Sequence, residues 1–264
     1  RPMTHKIPGR FIETAPGRAL HLSVRDVGSE TTIFFVHGGG GNKNQWREQW
    51  AHFSAFPVNL VAWDGFGHGL SPTSRHAEEF RGSAFIRDLD TVVARHKTKH
   101  NVFVGHSFGC RLLLAWLVEQ SRNALPLPVD GLILLGPAVH ALPRRGLFGN
   151  WLDYLPLPLL ELARPLLTRG FEKRAWHPTA DRHLVREERI ATRGNTLFMM
   201  RAMLAGAPEL PDDALRRLPD LRVVFLGGES DGLVSPAVIQ HAASLLADSR
   251  VMILPECGHQ IMLE

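Results

Sequence analysis

At 264 residues with 44% hydrophobic content, the chain can bury one large core, and a single α/β domain accounts for its length. Its two cysteines, Cys110 and Cys257, are too few for a disulfide framework and share no metal or redox spacing, which favours a reducing, cytoplasmic setting. No run approaches the roughly 18 apolar residues of a membrane-spanning helix, and the net charge of +4 is too modest to imply a nucleic acid partner.

The chain opens on "RPMTHKIPGR", which is polar, lacks the apolar core of a signal peptide and has no initiator Met, so a trimmed terminus or removed leader is the expectation there. "FIETAPGRALHLSV" then gives two β-like runs broken by Pro16-Gly17, a hairpin signal that predicts an antiparallel edge. From residue 32 short strand signals alternate with helical ones, the pattern of a mostly parallel α/β sheet. The predicted strands are Thr32–Val36, Leu60–Trp63, Asn101–Gly105, Gly131–Leu135, Leu221–Leu226 and Arg250–Leu254. Between them, Phe80, Ala84, Phe85, Leu89, Val92 and Val93 recur at three- and four-residue steps and form one apolar helix face. Leu112 to Val118 is apolar all round and calls for burial on all sides.

Residues 137–210 break this rhythm and predict an inserted helical lid between a first core part, 1–136, and a second, 211–264. Between 140 and 210 eleven Lys/Arg stand against seven Asp/Glu, a difference of four, so the whole net charge lies in this segment. A solvated Arg-rich face is the plain reading; a basic surface for an anionic substrate or a peripheral membrane contact is the functional alternative. Trp151, Tyr154, Leu155, Phe171, Trp176, Phe198, Met199 and Met203 are assigned mostly to packing of the lid on itself and the core, with a subset lining an acyl pocket.

The chemistry centres on "NVFVGHSFGCRLLLAWLV", residues 101–118. A Gly-x-Ser-x-Gly between a strand and a helix is the arrangement of a nucleophile elbow, in which Gly105 and Gly109 give clearance to a strained serine, Ser107. The helix N-terminus beside it favours developing negative charge. A serine needs a base and the base needs an acid. After one later strand comes "ESDGLVSP" with Asp231, and after the last comes "ECGHQ" with His259. Glu229 competes with Asp231 for the acid.

Five stretches, "FFVHGGGGNKNQW", "VAWDGFGHGLSP", "VGHSFG", "GGESDGLVSP" and "ECGHQIMLE", carry a resemblance to the serine hydrolases of the α/β-hydrolase superfamily, in the abhydrolase-domain group. That resemblance implies the α/β-hydrolase fold and a catalytic Ser107, Asp231 and His259 in the family's order. It selects Asp231 over Glu229 and assigns the oxyanion hole to the amides of Gly39 and Phe108. Two such donors are each worth roughly 3 kcal/mol. Gly40 is a further candidate, since successive glycines let backbone approach a substrate closely.

Other motifs read as structure. "DGFGHG" has the wrong glycine spacing for a dinucleotide loop, and "GGGGNKN" lacks the Gly and Ser/Thr of a phosphate loop at Asn42 and Asn44. His96 and His100, four apart, read as charge at a helix C-terminus, not as metal ligands. The expected activity is hydrolysis of a carboxylic ester with an apolar acyl part, a small and possibly lipid-like molecule, with no cofactor and no metal. Acyl transfer, thioester cleavage, C–C cleavage and perhydrolysis use the same triad, and a low-turnover ligand-binding receptor is the competitor from another class. The chain stops five residues after His259, and "HQIMLE" begins an apolar face at Ile261, Met262 and Leu263. A missing C-terminal helix or a partner covering that face is therefore expected.

Overall fold

The computed structural model describes residues 6–123, 126–139 and 155–264. Strands β1 (Arg10–Ala15) and β2 (Arg18–Arg25) form the antiparallel hairpin read from the sequence, turning at Gly17 with φ +72°. β2 pairs antiparallel with β4 (Asn59–Asp64). From there the sheet runs parallel through β3 (Thr31–Val36), β5 (His100–His106), β6 (Gly131–Leu135), β7 (Val223–Gly228) and β8 (Ser249–Leu254), in the order β1-β2-β4-β3-β5-β6-β7-β8.

Both faces of the sheet centre are covered, which explains why strands such as β3 read as continuous apolar runs. Along β3, Phe34 and Val36 join the larger core while Ile33 and Phe35 join the smaller core on the other face, the two-residue alternation of a strand. Helices α2 (Gly82–His96) and α3 (Phe108–Arg122) pack into the larger core; every residue from Leu112 to Val118 is buried. The smaller core gathers Trp46, Leu60, Ala62, Val104 and Leu135, with Trp50 and Phe53 of α1 (Arg47–Phe53) against it.

Between β6 and β7 lie α4 (Leu157–Ala175), α5 (Arg182–Ala191), α6 (Leu197–Ala205) and the short α7 (Asp212–Arg216), and α8 (Pro236–Ser244) connects β7 to β8. Asp181 caps α5 by accepting from His183 N at 2.8 Å, and Thr196 Oγ1 caps α6 by accepting from Met199 N at 3.1 Å. Trp176, Met199 and Met203 are buried and Phe198 meets Phe80 edge to face, whereas Phe171 is exposed; Trp151 and Tyr154 lie outside the described residues. No helix among the described residues is long and apolar enough to cross a membrane.

Three details correct the sequence reading. The seventh strand is shifted by two residues: Gly227 and Gly228 stay in register with Ile253 and Leu254, because a glycine keeps its ladder hydrogen bonds while Ile239 and Ile253 at Gly227, and the Cys257–Gly258 backbone at Gly228, fill the space a side chain would need. His96 closes α2 but His100 opens β5, so the two do not share a helix. The C-terminal apolar residues are already covered: Met262 is buried in the smaller core with Ile261 and Leu263 packed against it, and Gln49 Nε2 donates to Met262 O at 3.0 Å.

Candidate active site

Ser107 sits between the end of β5 and the first residue of α3, with φ +50° and ψ −114°. A non-glycine residue there is strained by about 1–3 kcal/mol, and the surroundings over-determine it. Ser107 N donates to Leu135 O at 2.9 Å, and Ser107 O accepts from Cys110 N at 3.1 Å. The flanking glycines are required by close approach. A Cβ on Gly109 would stand 2.5 Å from Val36 O and 2.6 Å from His37 O, and one on Gly105 would stand 2.8 Å from Leu113 Cδ1. The serine itself is half-buried.

Asp231 follows β7 and His259 follows β8, and both are buried. Their side chains meet: His259 Nδ1 and Asp231 Oδ2 are 2.7 Å apart. The other carboxylate oxygen, Oδ1, accepts from Leu233 N and Val234 N, each at 2.8 Å, so the acid is fixed at both oxygens. Glu229 is exposed. The Ser107 hydroxyl makes no hydrogen bond to His259. What links the two is the loop after β6: Ala138 N donates to Ser107 O at 3.4 Å, and a Cβ on Gly136 would stand 2.9 Å from His259 Nδ1. Contacts of this kind often tighten only when substrate is bound.

His106, one residue before Ser107, donates from Nε2 to His259 O at 2.9 Å, and its ring lies tilted at 51° to the His259 ring with 4.8 Å between centroids. Burial, and then the neighbouring His259, hold His106 well below the usual histidine range and therefore neutral. Both loops also grip the end of α4. His259 N donates to Ala175 O at 2.7 Å, Gly232 N donates to Arg174 O at 2.9 Å, and the Arg174 guanidinium returns two bonds to Gly232 O.

The glycine run after β3 forms a turn closed by Gly41 N donating to Gly38 O at 3.0 Å. Gly39 and Phe108 are brought together there: a Cβ on Gly39 would stand 3.5 Å from Phe108 Cβ. Gly40 does not join them as a free donor, because its amide donates to His68 Nε2 at 3.0 Å. Its carbonyl accepts from Asn195 Nδ2, in the segment between α5 and α6. Met200 packs over Gly40 and Met203 over Gly39. Beneath the turn the buried Asp64 accepts from Lys43 N at 2.8 Å and Leu70 N at 3.0 Å, with Lys43 Nζ 3.7 Å away.

A cavity of about 20 Å³ abuts this pair, walled by Gly39, Phe108, Met203, Leu112, Trp63 and Phe85 among others. It has room for about one water molecule. His68, His106 and Asn195 were not singled out in the sequence. "GHG" reads as loop chemistry, and Asn195 lies 155 residues from the carbonyl it holds, so only the tertiary structure reveals them.

An open, mostly parallel sheet carrying these groups beyond the C-terminal ends of its strands is a hydrolase architecture. The family model of the Alpha/beta hydrolase family matches residues 33–264, and the chain belongs to that family. Curated relatives include Protein ABHD8 of Mus musculus and of Homo sapiens, each 25% identical over 94% of this chain and 57% of theirs. The chain therefore spans somewhat over half the length of these relatives. Among solved structures it resembles an esterase from Exiguobacterium antarcticum (TM-score 0.81, 19% identity, covering 97% of this chain and 94% of the other). A putative aryl esterase from Burkholderia cenocepacia is similar at TM-score 0.81, with 20% identity over 97% and 93% of the two chains. A 2-hydroxy-6-oxo-6-phenylhexa-2,4-dienoate hydrolase from Rhodococcus shares the fold at TM-score 0.74 and 18% identity, over 98% and 94%.

Proposed function

We propose that this chain is a serine hydrolase that cleaves a carboxylic ester with an apolar acyl group through an acyl-enzyme. Ser107 Oγ attacks the ester carbonyl, and His259 takes its proton and returns it to the leaving alcohol. Asp231 holds the imidazole in the required tautomer and stabilises the imidazolium. The Gly39 and Phe108 amides receive the oxyanion. Water then repeats the sequence on the acyl-enzyme.

The observation that carries this reading is the 2.7 Å contact of His259 Nδ1 with a carboxylate oxygen of Asp231, with Ser107 strained at the adjoining strand end. Because Nδ1 faces the carboxylate, Nε2 is left to act as the base. The apolar residues beside Gly39, with Phe108, Leu112 and Met203 among them, support an apolar acyl group. In this reading the helices after β6 act as a lid over the acyl site.

Labelling with a fluorophosphonate and turnover of p-nitrophenyl esters test it. The wild type should do both, and Ser107→Ala should do neither while melting at the same temperature. Ser107→Ala retaining half of the wild-type turnover would refute the nucleophile. Labelling without turnover would favour a ligand-binding role on this fold.

A further inference from the structure

His259 stands on an irregular loop after β8, outside any helix or strand. Its main-chain polar groups are nevertheless all taken: His259 N donates to Ala175 O, and His259 O accepts from His106 Nε2. The amides on either side go to a single side chain. Gly258 N donates to Glu264 Oε1 at 3.1 Å, and Gln260 N donates to the same oxygen at 3.3 Å. The other carboxylate oxygen, Oε2, accepts from His177 N at 2.9 Å, just past the end of α4. One carboxylate thus gathers three main-chain donors, two of them flanking His259, and bonds to a charged acceptor are about twice as strong as neutral ones.

Local folding brings Glu264 there. Leu263 N and Glu264 N both donate to Gln260 O, at 2.8 and 3.1 Å, so the chain turns back onto the His259 loop. Met262, buried in the smaller core, anchors that turn, and Gln49 Nε2 holds its carbonyl. Room for the carboxylate exists because residue 258 is glycine: a Cβ there would stand 2.8 Å from Glu264 Oε1 and 2.7 Å from both Ala175 O and His177 N. The imidazole hangs from this backbone by two rotatable bonds. A shift of residues 258–260 is therefore carried to Nδ1 at Asp231 and to Nε2, the proposed base.

We propose that Glu264 is a positioning residue for His259: by accepting the Gly258 and Gln260 amides it fixes the main chain from which the imidazole projects toward Asp231. It acts through the loop backbone and touches no reacting atom. The proposal rests on the serine-hydrolase reading above.

Glu264 is exposed, so its replacement opens no gap in the core. Glu264→Ala removes every acceptor, whereas Glu264→Gln keeps an oxygen for Gly258 N and Gln260 N and gives up the one facing His177 N. With p-nitrophenyl butyrate well below the melting temperature, Glu264→Ala should lose about tenfold or more in kcat with KM within about twofold, the pattern of a displaced catalytic group. Fluorophosphonate labelling should slow by a similar factor, and Glu264→Gln should recover most of the loss. In the wild type, the Gly258 and Gln260 amides should be protected from hydrogen exchange. A folded Glu264→Ala with wild-type kcat overturns the proposal. So does Glu264→Gln losing as much as Glu264→Ala, which would lay the effect on the tie to His177. Exchange of both amides at the free-peptide rate overturns it as well, a measurement that stands even if neither variant folds. Failure of the hydrolase reading looks different: the wild type would neither label nor turn over ester, and the positioning role would fall with it whatever the exchange showed.

Discussion

Met203 offers the sharpest handle on substrate choice. Its side chain is fully buried and reaches over the Gly38–Gly41 turn, so that a Cβ on Gly39 would stand 2.6 Å from its Cε. It closes one side of the cavity of about 20 Å³ beside Phe108 and Leu112, so its bulk limits the room beside Gly39. Met203→Ala removes Cγ, Sδ and Cε and vacates space for two or three methylenes. At about 0.8 kcal/mol per buried methylene, the longer acyl group gains roughly 2 kcal/mol of transition-state binding, about thirtyfold in kcat/KM. Truncating a buried methionine also costs about 2–5 kcal/mol of stability, so the comparison belongs well below the melting temperature, checked by thermal unfolding. The assay is kcat/KM across p-nitrophenyl esters from acetate to octanoate. The wild type should fall off beyond butyrate and Met203→Ala should move the optimum to hexanoate or octanoate. Parallel acyl-length profiles for the two proteins would refute the assignment of this wall to the acyl site.

Asp231→Asn keeps a side-chain oxygen for Leu233 N and Val234 N but removes the charge facing His259, so kcat should fall about ten-thousandfold with little change in melting temperature; a loss under tenfold would remove Asp231 from the mechanism. Arg18→Met should destabilise the fold by about 3 kcal/mol in urea unfolding, because the guanidinium forks onto the buried Asp88 at 2.7–2.9 Å and, among the described residues, the Thr14 hydroxyl is the partner that would remain to it. Restoration of stability by adding Asp88→Leu is the expected control, and an unchanged midpoint for Arg18→Met alone would contradict the account. Acid should weaken the fold in a defined window. His68 is neutral in the folded chain down to about pH 3, whereas the unfolded chain takes up that proton near pH 6.5. Stability from this group is therefore complete above about pH 6.5 and falls by up to about 1.4 kcal/mol per unit as pH drops toward 3. His37 and His106, buried and also shifted down, steepen the fall. Equal urea midpoints at pH 7 and pH 4.5 would rule this out.

The strands were legible because a sheet covered on both faces demands long apolar runs, and β6 matches its predicted bounds to the residue. β7 differs from its predicted bounds because Gly227 and Gly228 carry turn statistics and strand hydrogen bonds at once, and only their neighbours, Ile239 and Ile253 at the first and the Cys257–Gly258 backbone at the second, decide between them. The same division runs through the site. Ser107 could be read from its two glycines, and Asp231 and His259 from their places after strands. That the last two touch, and that Glu229 stays in solvent, depends on how β7 and β8 lie side by side. His68 and Asn195 were hidden for a further reason: each binds a backbone group of Gly40, and main-chain partners leave no mark of their own in a sequence.

The grip of the Asp231 and His259 loops on the last turn of α4 bears on how such a protein can change. That helix belongs to the segment proposed as a lid, yet its Ala175 carbonyl holds the His259 backbone and its Arg174 holds Gly232 from both sides. Divergence toward bulkier substrates by lengthening, tilting or replacing α4 would disturb the alignment of His259 and Asp231 at the same stroke. Adaptation is then channelled toward α6, where Met200 and Met203 meet the site through side chains alone, and descendants with altered tastes should differ there first.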